Sequence, residues 1–221
     1  MPEERRLTDK AQGAIKSLEA AKAKDTTYNT DQVNAALRQI FHGKCYICEN
    51  KEITSYQIEH LIAHRGNKNL KYDWNNLFPA CAHCNNTKLD RFEPIIDCTQ
   101  EPVEEMIAFR KKGYFGTEEE LVFEQLDSGE KTVNTLKLLQ EVYYGSTPQK
   151  MMETRILRKN LRKELSQFKE YVREYKEDLL YLLKQQLSDS SPFAAFKRWL
   201  IRDHIFLPPF VCICFLNFLV I

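Results

Sequence analysis

Two cysteine pairs constrain this chain more than any other feature: CYIC at 45–48 and CAHC at 81–84, with residues 49–80 between them. A C-x-x-C pair closes a tight knuckle, and two knuckles offer the four thiolates that tetrahedral zinc takes. The opening MPEERRLTDK is polar and lacks the apolar run of a secretory leader, so metal ligation is expected rather than disulfides. The bracketed segment has no long apolar periodicity from which to build its own core. Zinc binding therefore supplies folding free energy there, on the order of 10 kcal/mol. With Cys45, Cys48, Cys81 and Cys84 as ligands no coordination position stays open, which predicts a structural Zn²⁺. His83, inside the second knuckle, reads as a surface or outer-sphere histidine, and Cys98 as a small buried apolar residue.

The remaining patterning is helical. Leu7, Ala11, Ile15, Leu18 and Ala21 predict a helix within residues 3–24 with one narrow apolar face. Val33, Leu37 and Ile40 predict a second, stopped near Gly43. Thr117 and Glu120 have the spacing of a helix-capping box, while LVFEQLD behind them has equal claim to be a short strand. Val133, Leu136, Leu139 and Val142 mark another helix. A three-four rhythm from Leu157 through Phe168 and Val172 to Leu182 predicts one long helix over 151–187, a candidate for dimerisation. Pro192 can open a last helix carrying Phe193, Phe196, Trp199 and Leu200. The apolar tail 205–221 is shorter than the roughly 20 residues a membrane helix needs and is broken by Pro208 and Pro209. It is expected to pack on the helical region or a partner, with no membrane partner. Lys and Arg total 32 against 31 Asp and Glu, a balance that argues against a general polyanion coat and leaves room for a local basic site.

Three further elements surround the knuckles. Glu59-His60 stands in IEHLIAH, Asn76-Leu77 in DWNNLFPAC, and Asn85 with Lys88 in CNNTK. Taken in order with the cysteines, they resemble the HNH nuclease family over about a quarter of the chain. The resemblance implies a ββα-metal core in which Glu59 and Asn85 hold one divalent ion, Mg²⁺ or Mn²⁺, as hard oxygen ligands do. It also implies that His60 is the general base, that Asn76 orients His60 and that Lys88 contacts phosphate. Glu stands at 59 where the family more often has Asp or His. His64 is a candidate extra ligand, though an exposed loop histidine is the plainer reading. Arg65, Lys68 and Lys71 are candidates for contact with a nucleic-acid backbone. The run Arg155, Arg158, Lys159, Arg162 and Lys163 offers a second basic stripe, or equally a solvated helix face.

Residues 70–102, including YDWNNLFPAC and FEPIIDCTQEP, are similar to the PtuB family, the HNH subunits of Septu-type and retron-linked bacterial anti-phage defence systems. That likeness implies a PtuA-type ATPase partner, a link to a retron reverse transcriptase and its multicopy single-stranded DNA, and a bacterial cytoplasmic setting. The expected fold class is α+β, mainly α. It comprises an N-terminal helical segment (1–43), a zinc-stapled HNH core (44–95), a helical C-terminal region for docking or assembly (96–204) and the apolar tail (205–221). The leading expectation is metal-dependent hydrolysis of nucleic-acid phosphodiesters. The competing one is a zinc-stapled nucleic-acid or protein binding module without chemistry. A zinc hydrolase at the Cys₄ site is disfavoured because that site is closed.

Overall fold

The computed structural model describes residues 9–53, 55–112, 120–173 and 180–203. Two helices come first. α1 (Asp9–Lys24) buries Ala11, Ala14, Leu18 and Ala21, a spacing of three or four that lines one face. α2 (Asp31–Ile40) starts at Thr30, whose hydroxyl accepts from the Val33 N–H and also meets Ser17 of α1 at 2.8 Å. Val33, Ala36, Leu37 and Ile40 face α1 and the sheet behind it.

That sheet is a two-stranded antiparallel hairpin. β1 (Tyr56–His60) pairs with β2 (Leu77–Cys81) so that Glu59 lies opposite Phe78 and His60 opposite Leu77. The connection carries a short helix, α3 (Lys68–Lys71), and a 3-10 turn at Trp74–Asn76. β2 runs directly into α4 (Ala82–Lys88), and Cys81 stands at the junction with its sulfur accepting from the Cys84 N–H at 3.4 Å. The first knuckle is laced to the same strand by the Tyr46 N–H, which donates to the Pro79 carbonyl at 2.9 Å. The arrangement is strand, strand, helix, with a Cys₄ cluster where they meet.

A second hairpin and, among the described residues, five helices follow this unit. After α5 (Val103–Met106), β3 (Ile107–Lys112) pairs antiparallel with β4 (Glu120–Gln125). LVFEQ is therefore strand, and Thr117 of the alternative capping box falls outside the described residues. α6 (Glu130–Tyr144) buries Leu138, Leu139, Val142 and Tyr143. Phe109, Phe123, Tyr143 and Phe196 form a ring cluster with centroids 5.3–5.8 Å apart, the edge-to-face range for aromatic pairs. One buried cluster runs without a break from Ala11 of α1 through the four cysteines' neighbourhood to Trp199.

The region read as one long helix is two. α7 (Pro148–Arg173) and α8 (Leu180–Leu187) lie against each other, and Phe168 and Leu183 share one buried cluster with Val172 and Leu187. A continuous helix would hold positions 168 and 183 about 22 Å apart. The three-four rhythm persists through both helices because each buries the same kind of stripe, and periodicity alone does not register a reversal. α9 (Ala194–Asp203) closes the chain's described part. Among the described residues no helix is long and apolar enough to cross a membrane, and the tail from 205 lies outside them.

A buried charge locks these last helices. Lys197 has no exposed surface, and its ammonium donates to Glu164 at 2.9 Å, Gln186 at 2.8 Å and Ser191 at 2.8 Å, one partner each from α7, α8 and the turn before α9. Removing it strands the Glu164 carboxylate, which is only about a fifth exposed. Lys197→Met is expected to lower the free energy of unfolding by about 2 kcal/mol, below the value for a fully buried pair because Glu164 keeps some solvent. Urea denaturation checks this. An unchanged midpoint would contradict the assignment of Lys197 as the pin.

Candidate metal centre and the His60 site

The four cysteines come together as their spacing predicts. Their ligand atoms all lie within 4.8 Å of one another, and Cys48 Sγ sits 4.0 Å from Cys81 Sγ. Four sulfurs at the usual zinc–sulfur distance stand about 3.8 Å apart at the corners of a tetrahedron, so the cluster has the size and the donor set of a structural zinc site. Its thiols share their charge unevenly: hydrogen bonds from Cys45, Cys48 and Cys84 hold the Cys81 thiol far below its ordinary value, while burial pushes Cys84 up. A divalent cation removes this frustration by stabilising every thiolate at once.

The helical region docks on this centre through its backbone. Tyr143 Oη donates to the Cys48 carbonyl at 3.0 Å, and Glu49, the next residue, accepts from the Ala195 N–H at 2.9 Å to cap α9. His83 is not a surface residue. Its ring is largely buried between α4, α6 and α7, with Nε2 2.7 Å from the Val142 carbonyl and Nδ1 2.8 Å from Glu153. Spacing within the knuckle could not distinguish that tie from an exposed ring.

On the other side of β1 and α4 lies the acid–histidine pair. Strand geometry sends neighbouring side chains to opposite faces. Glu59 points at α4, where Tyr46 Oη donates to one of its oxygens and Lys88 Nζ lies 3.2 Å from the other. Burial pushes the Glu59 carboxyl up to about 7, against the downward pull of Lys88 beside it. Gln57, two residues earlier on the same face, accepts from Asn85 Nδ2 at 2.7 Å. Asn85 and Lys88, three apart on α4, share one helix face, so Glu59 and Asn85 sit in a single interface linked through Gln57 and Lys88. The Asn85 Oδ1 has no hydrogen-bond partner among the described residues, leaving an amide oxygen and a carboxylate as the hard donors of that interface.

His60 points the other way. Its Nε2 lies 3.0 Å from the Lys71 carbonyl. A carbonyl only accepts, so Nε2 carries the proton and Nδ1 keeps the lone pair in the neutral ring. The ring is wedged between Tyr28 (4.7 Å between centroids) and His64 (4.8 Å). Burial depresses its basicity, the Lys71 carbonyl partly restoring it. Asn76 does not touch the imidazole. It accepts from the Ile62 N–H at 2.8 Å and donates to the Ile62 and Leu70 carbonyls at 2.9 and 3.1 Å. It clamps the two ends of the loop whose next carbonyl, Lys71, holds His60.

Several expected roles look different in place. Lys88, expected at a phosphate, is fully buried and donates to Glu59, to the His60 carbonyl at 2.8 Å and to the Leu89 carbonyl at 3.3 Å. His64 is half-buried against His60, with Nδ1 accepting from the Gly66 N–H. Lys68 pairs with Asp25 at 2.9 Å and Lys71 with the same carboxylate at 3.6 Å, while Arg65 reaches Asp90 and Glu93. In the second stripe Arg158 lies over the Tyr144 ring and Lys163 pairs with Glu52, while Arg155, Lys159 and Arg162 are exposed. Tyr28, Tyr46 and Gln57 escaped the sequence reading. Tyr46 lies inside the first knuckle and Gln57 one strand period before Glu59, and those placements were the available signals.

Residues 45–91, which contain the four cysteines and Glu59, His60, Asn76, Asn85 and Lys88, match the HNH endonuclease family model. A Septu protein PtuB of Bacillus mycoides (strain KBAB4) is 35% identical across 40% of this chain and 38% of its own length. A Septu protein PtuB of Bacillus thuringiensis is 25% identical across 53% of this chain and 54% of its own. The chain thus spans about four-tenths to a half of the curated relatives it matches. No solved structure matches it. The chain carries an HNH endonuclease domain related to Septu PtuB proteins.

Because the knuckles join β1, β2 and α4 as well as the helical region, metal removal should undo more than the loop. Cys84→Ser, or exhaustive chelation of the wild type, is expected to drop bound zinc from one per chain to none and to abolish cooperative thermal unfolding, given the order of 10 kcal/mol at stake. A zinc-free chain that still melts cooperatively at the wild-type temperature would refute the staple.

Proposed function

We propose that the HNH domain in this Septu PtuB-related chain hydrolyses nucleic-acid phosphodiester bonds, and that it serves as the nuclease of a Septu- or retron-type anti-phage complex gated by an ATPase partner in the bacterial cytoplasm. The observation that carries the chemistry is the fixed tautomer of His60. With Nε2 committed to the Lys71 carbonyl, Nδ1 is the atom that takes a proton from water. That water's oxygen bonds to phosphorus as the bond from phosphorus to the 3′ oxygen breaks, leaving a 5′ phosphate and a 3′ oxyanion that takes a proton from solvent water to become the 3′ hydroxyl. A depressed histidine basicity keeps the ring neutral and ready at neutral pH. Asn76 positions the loop that orients the ring, so it acts on His60 through Lys71.

Glu59 and Asn85 are the residues we assign to a Mg²⁺ or Mn²⁺ ion, which when bound supplies positive charge for the crowded phosphoryl group and its leaving oxygen. Their hard oxygen donors fit those ions. Lys88 serves the same end from beneath: its buried ammonium favours the ionised form of Glu59 against the upward push of burial, and it ties α4 to the strand at the His60 carbonyl. The second reading, a binding module without chemistry, draws support from the same contacts, since both Glu59 oxygens already have protein partners.

His60→Ala and the bulkier His60→Gln separate the two. The nuclease reading predicts cleavage of DNA or RNA by the full chain, assayed with its ATPase partner, to fall by at least about 100-fold in both variants. Zinc content and melting temperature should stay at the wild-type values. Undiminished cleavage in either variant sinks the mechanism, and a wild type that binds nucleic acid without ever cutting it establishes the binding module.

A further inference from the structure

A second basic feature lies at the far end of β1 from His60. The C-terminal turn of α2, the segment after the first knuckle and the start of β1 enclose an open cleft of about 330 Å³ lined by Arg38, His42, Gly43, Lys51, Ile53 and Tyr56. Among the described residues its lining has cationic and aromatic side chains and no carboxylate. The nearest acid in sequence, Glu52, is turned away to Lys163 at 2.9 Å. The Arg38 guanidinium stacks on the Tyr56 ring at 4.1 Å. Stacking uses the face of the guanidinium and leaves its in-plane N–H fork for a planar or tetrahedral oxyanion. The Tyr56 hydroxyl is buried and has no hydrogen-bond partner among the described residues, a state native proteins rarely leave unresolved.

The charge balance of the cleft also favours an anion. Partial burial and, after it, the Lys44 ammonium hold Lys51 below its ordinary basicity against the upward pull of Glu164, while Lys44 is itself paired with Glu49 at 2.8 Å. A helix C-terminus ordinarily repels anions. Here its last carbonyls are spent on cap N–H groups, with Gly43 donating to the Arg38 carbonyl at 2.8 Å and His42 to that of Gln39 at 3.2 Å.

Resting on the nuclease reading, we propose that this cleft is a phosphate subsite that grips the backbone of the same nucleic-acid strand presented to His60, with Arg38, Lys51 and the Tyr56 hydroxyl as its donors. Tyr56 and His60 lie four residues apart on one face of β1, about 13 Å along the strand, so a single chain of nucleotides can span both. The three loop cations first expected to hold the backbone are tied to Asp25, Asp90 and Glu93, whereas no carboxylate is among the described residues that line the cleft, and Glu164, which acts on Lys51 from outside that lining, is itself paired with Lys197 at 2.9 Å.

Fluorescence anisotropy tests the subsite with labelled 20-nucleotide single strands of DNA and RNA and the full chain, without added Mg²⁺ or Mn²⁺. Arg38→Gln combined with Lys51→Gln should weaken binding about tenfold and reduce the slope of log affinity against log salt by roughly one, the signature of a lost phosphate contact. Tyr56→Phe should weaken binding at least about threefold while leaving the melting temperature of the free protein equal or higher, because it deletes an unpartnered buried hydroxyl. The exposed Lys16→Gln on α1 serves as the control for charge alone. A double variant that binds like the wild type, or loses no more than Lys16→Gln does, overturns the subsite; if such a variant still cleaves, the nuclease reading stands. A wild type that binds neither strand, alone or with its ATPase partner, overturns both.

Discussion

Four sulfurs within 4.8 Å of each other hold this protein together. Cys81 ends β2 and caps α4, so the cysteine cluster stands at the junction of strand and helix, next to the interface where Glu59 meets Lys88 and Gln57 meets Asn85. The same centre supports the helical region, because the carbonyl of Cys48 and the carboxylate of Glu49 receive Tyr143 and the first turn of α9. A short hairpin of five residues per strand is marginal by itself. Joined at its corner by a zinc-sized cluster and packed between α2 and α4, it becomes a fixed platform for Glu59 and His60.

The site divides its labour across one strand. Alternation along β1 sends Glu59 to the α4 face and His60 to the face covered by the α1–α2 connection, so an acid and an imidazole stand adjacent in sequence without touching. Each has its own support. Glu59 is gripped by Tyr46 and Lys88 from the knuckle and the helix, and His60 by the Lys71 carbonyl and the flanking rings of Tyr28 and His64. Asn76 serves both indirectly by closing the loop between the strands. Polar groups that solvent would otherwise satisfy are here satisfied by neighbours, which is why the pair tolerates residual exposures of only 6 and 8%.

Much of this was legible in the chain itself, and the boundary is physical. The Cys₄ cluster followed from spacing, because a C-x-x-C pair fixes its own geometry. The helices followed where apolar residues recur every three to four positions, as in α2 and α6. Legibility ended where partners come from distant segments. Nothing local to Lys88 says that Glu59, 29 positions away, will take its ammonium inward, and nothing in CAHC says that His83 will meet Glu153. The 151–187 rhythm misled because two packed helices and one long helix bury the same stripe; the contact of Phe168 with the Leu183 cluster tells them apart. The cleft beside Tyr56 was invisible for the same reason, since its cations come from α2 and from the segment after the knuckle.

The claim on which the rest depends is that one zinc, held by sulfur alone, sits at the junction of β2 and α4. Zinc K-edge X-ray absorption of the purified full chain tests it most directly. The account predicts one zinc per chain with four sulfur neighbours at about 2.3 Å and no nitrogen or oxygen in the coordination shell. A shell containing nitrogen or oxygen donors, or a folded chain with these cysteines metal-free or joined as disulfides, would contradict it.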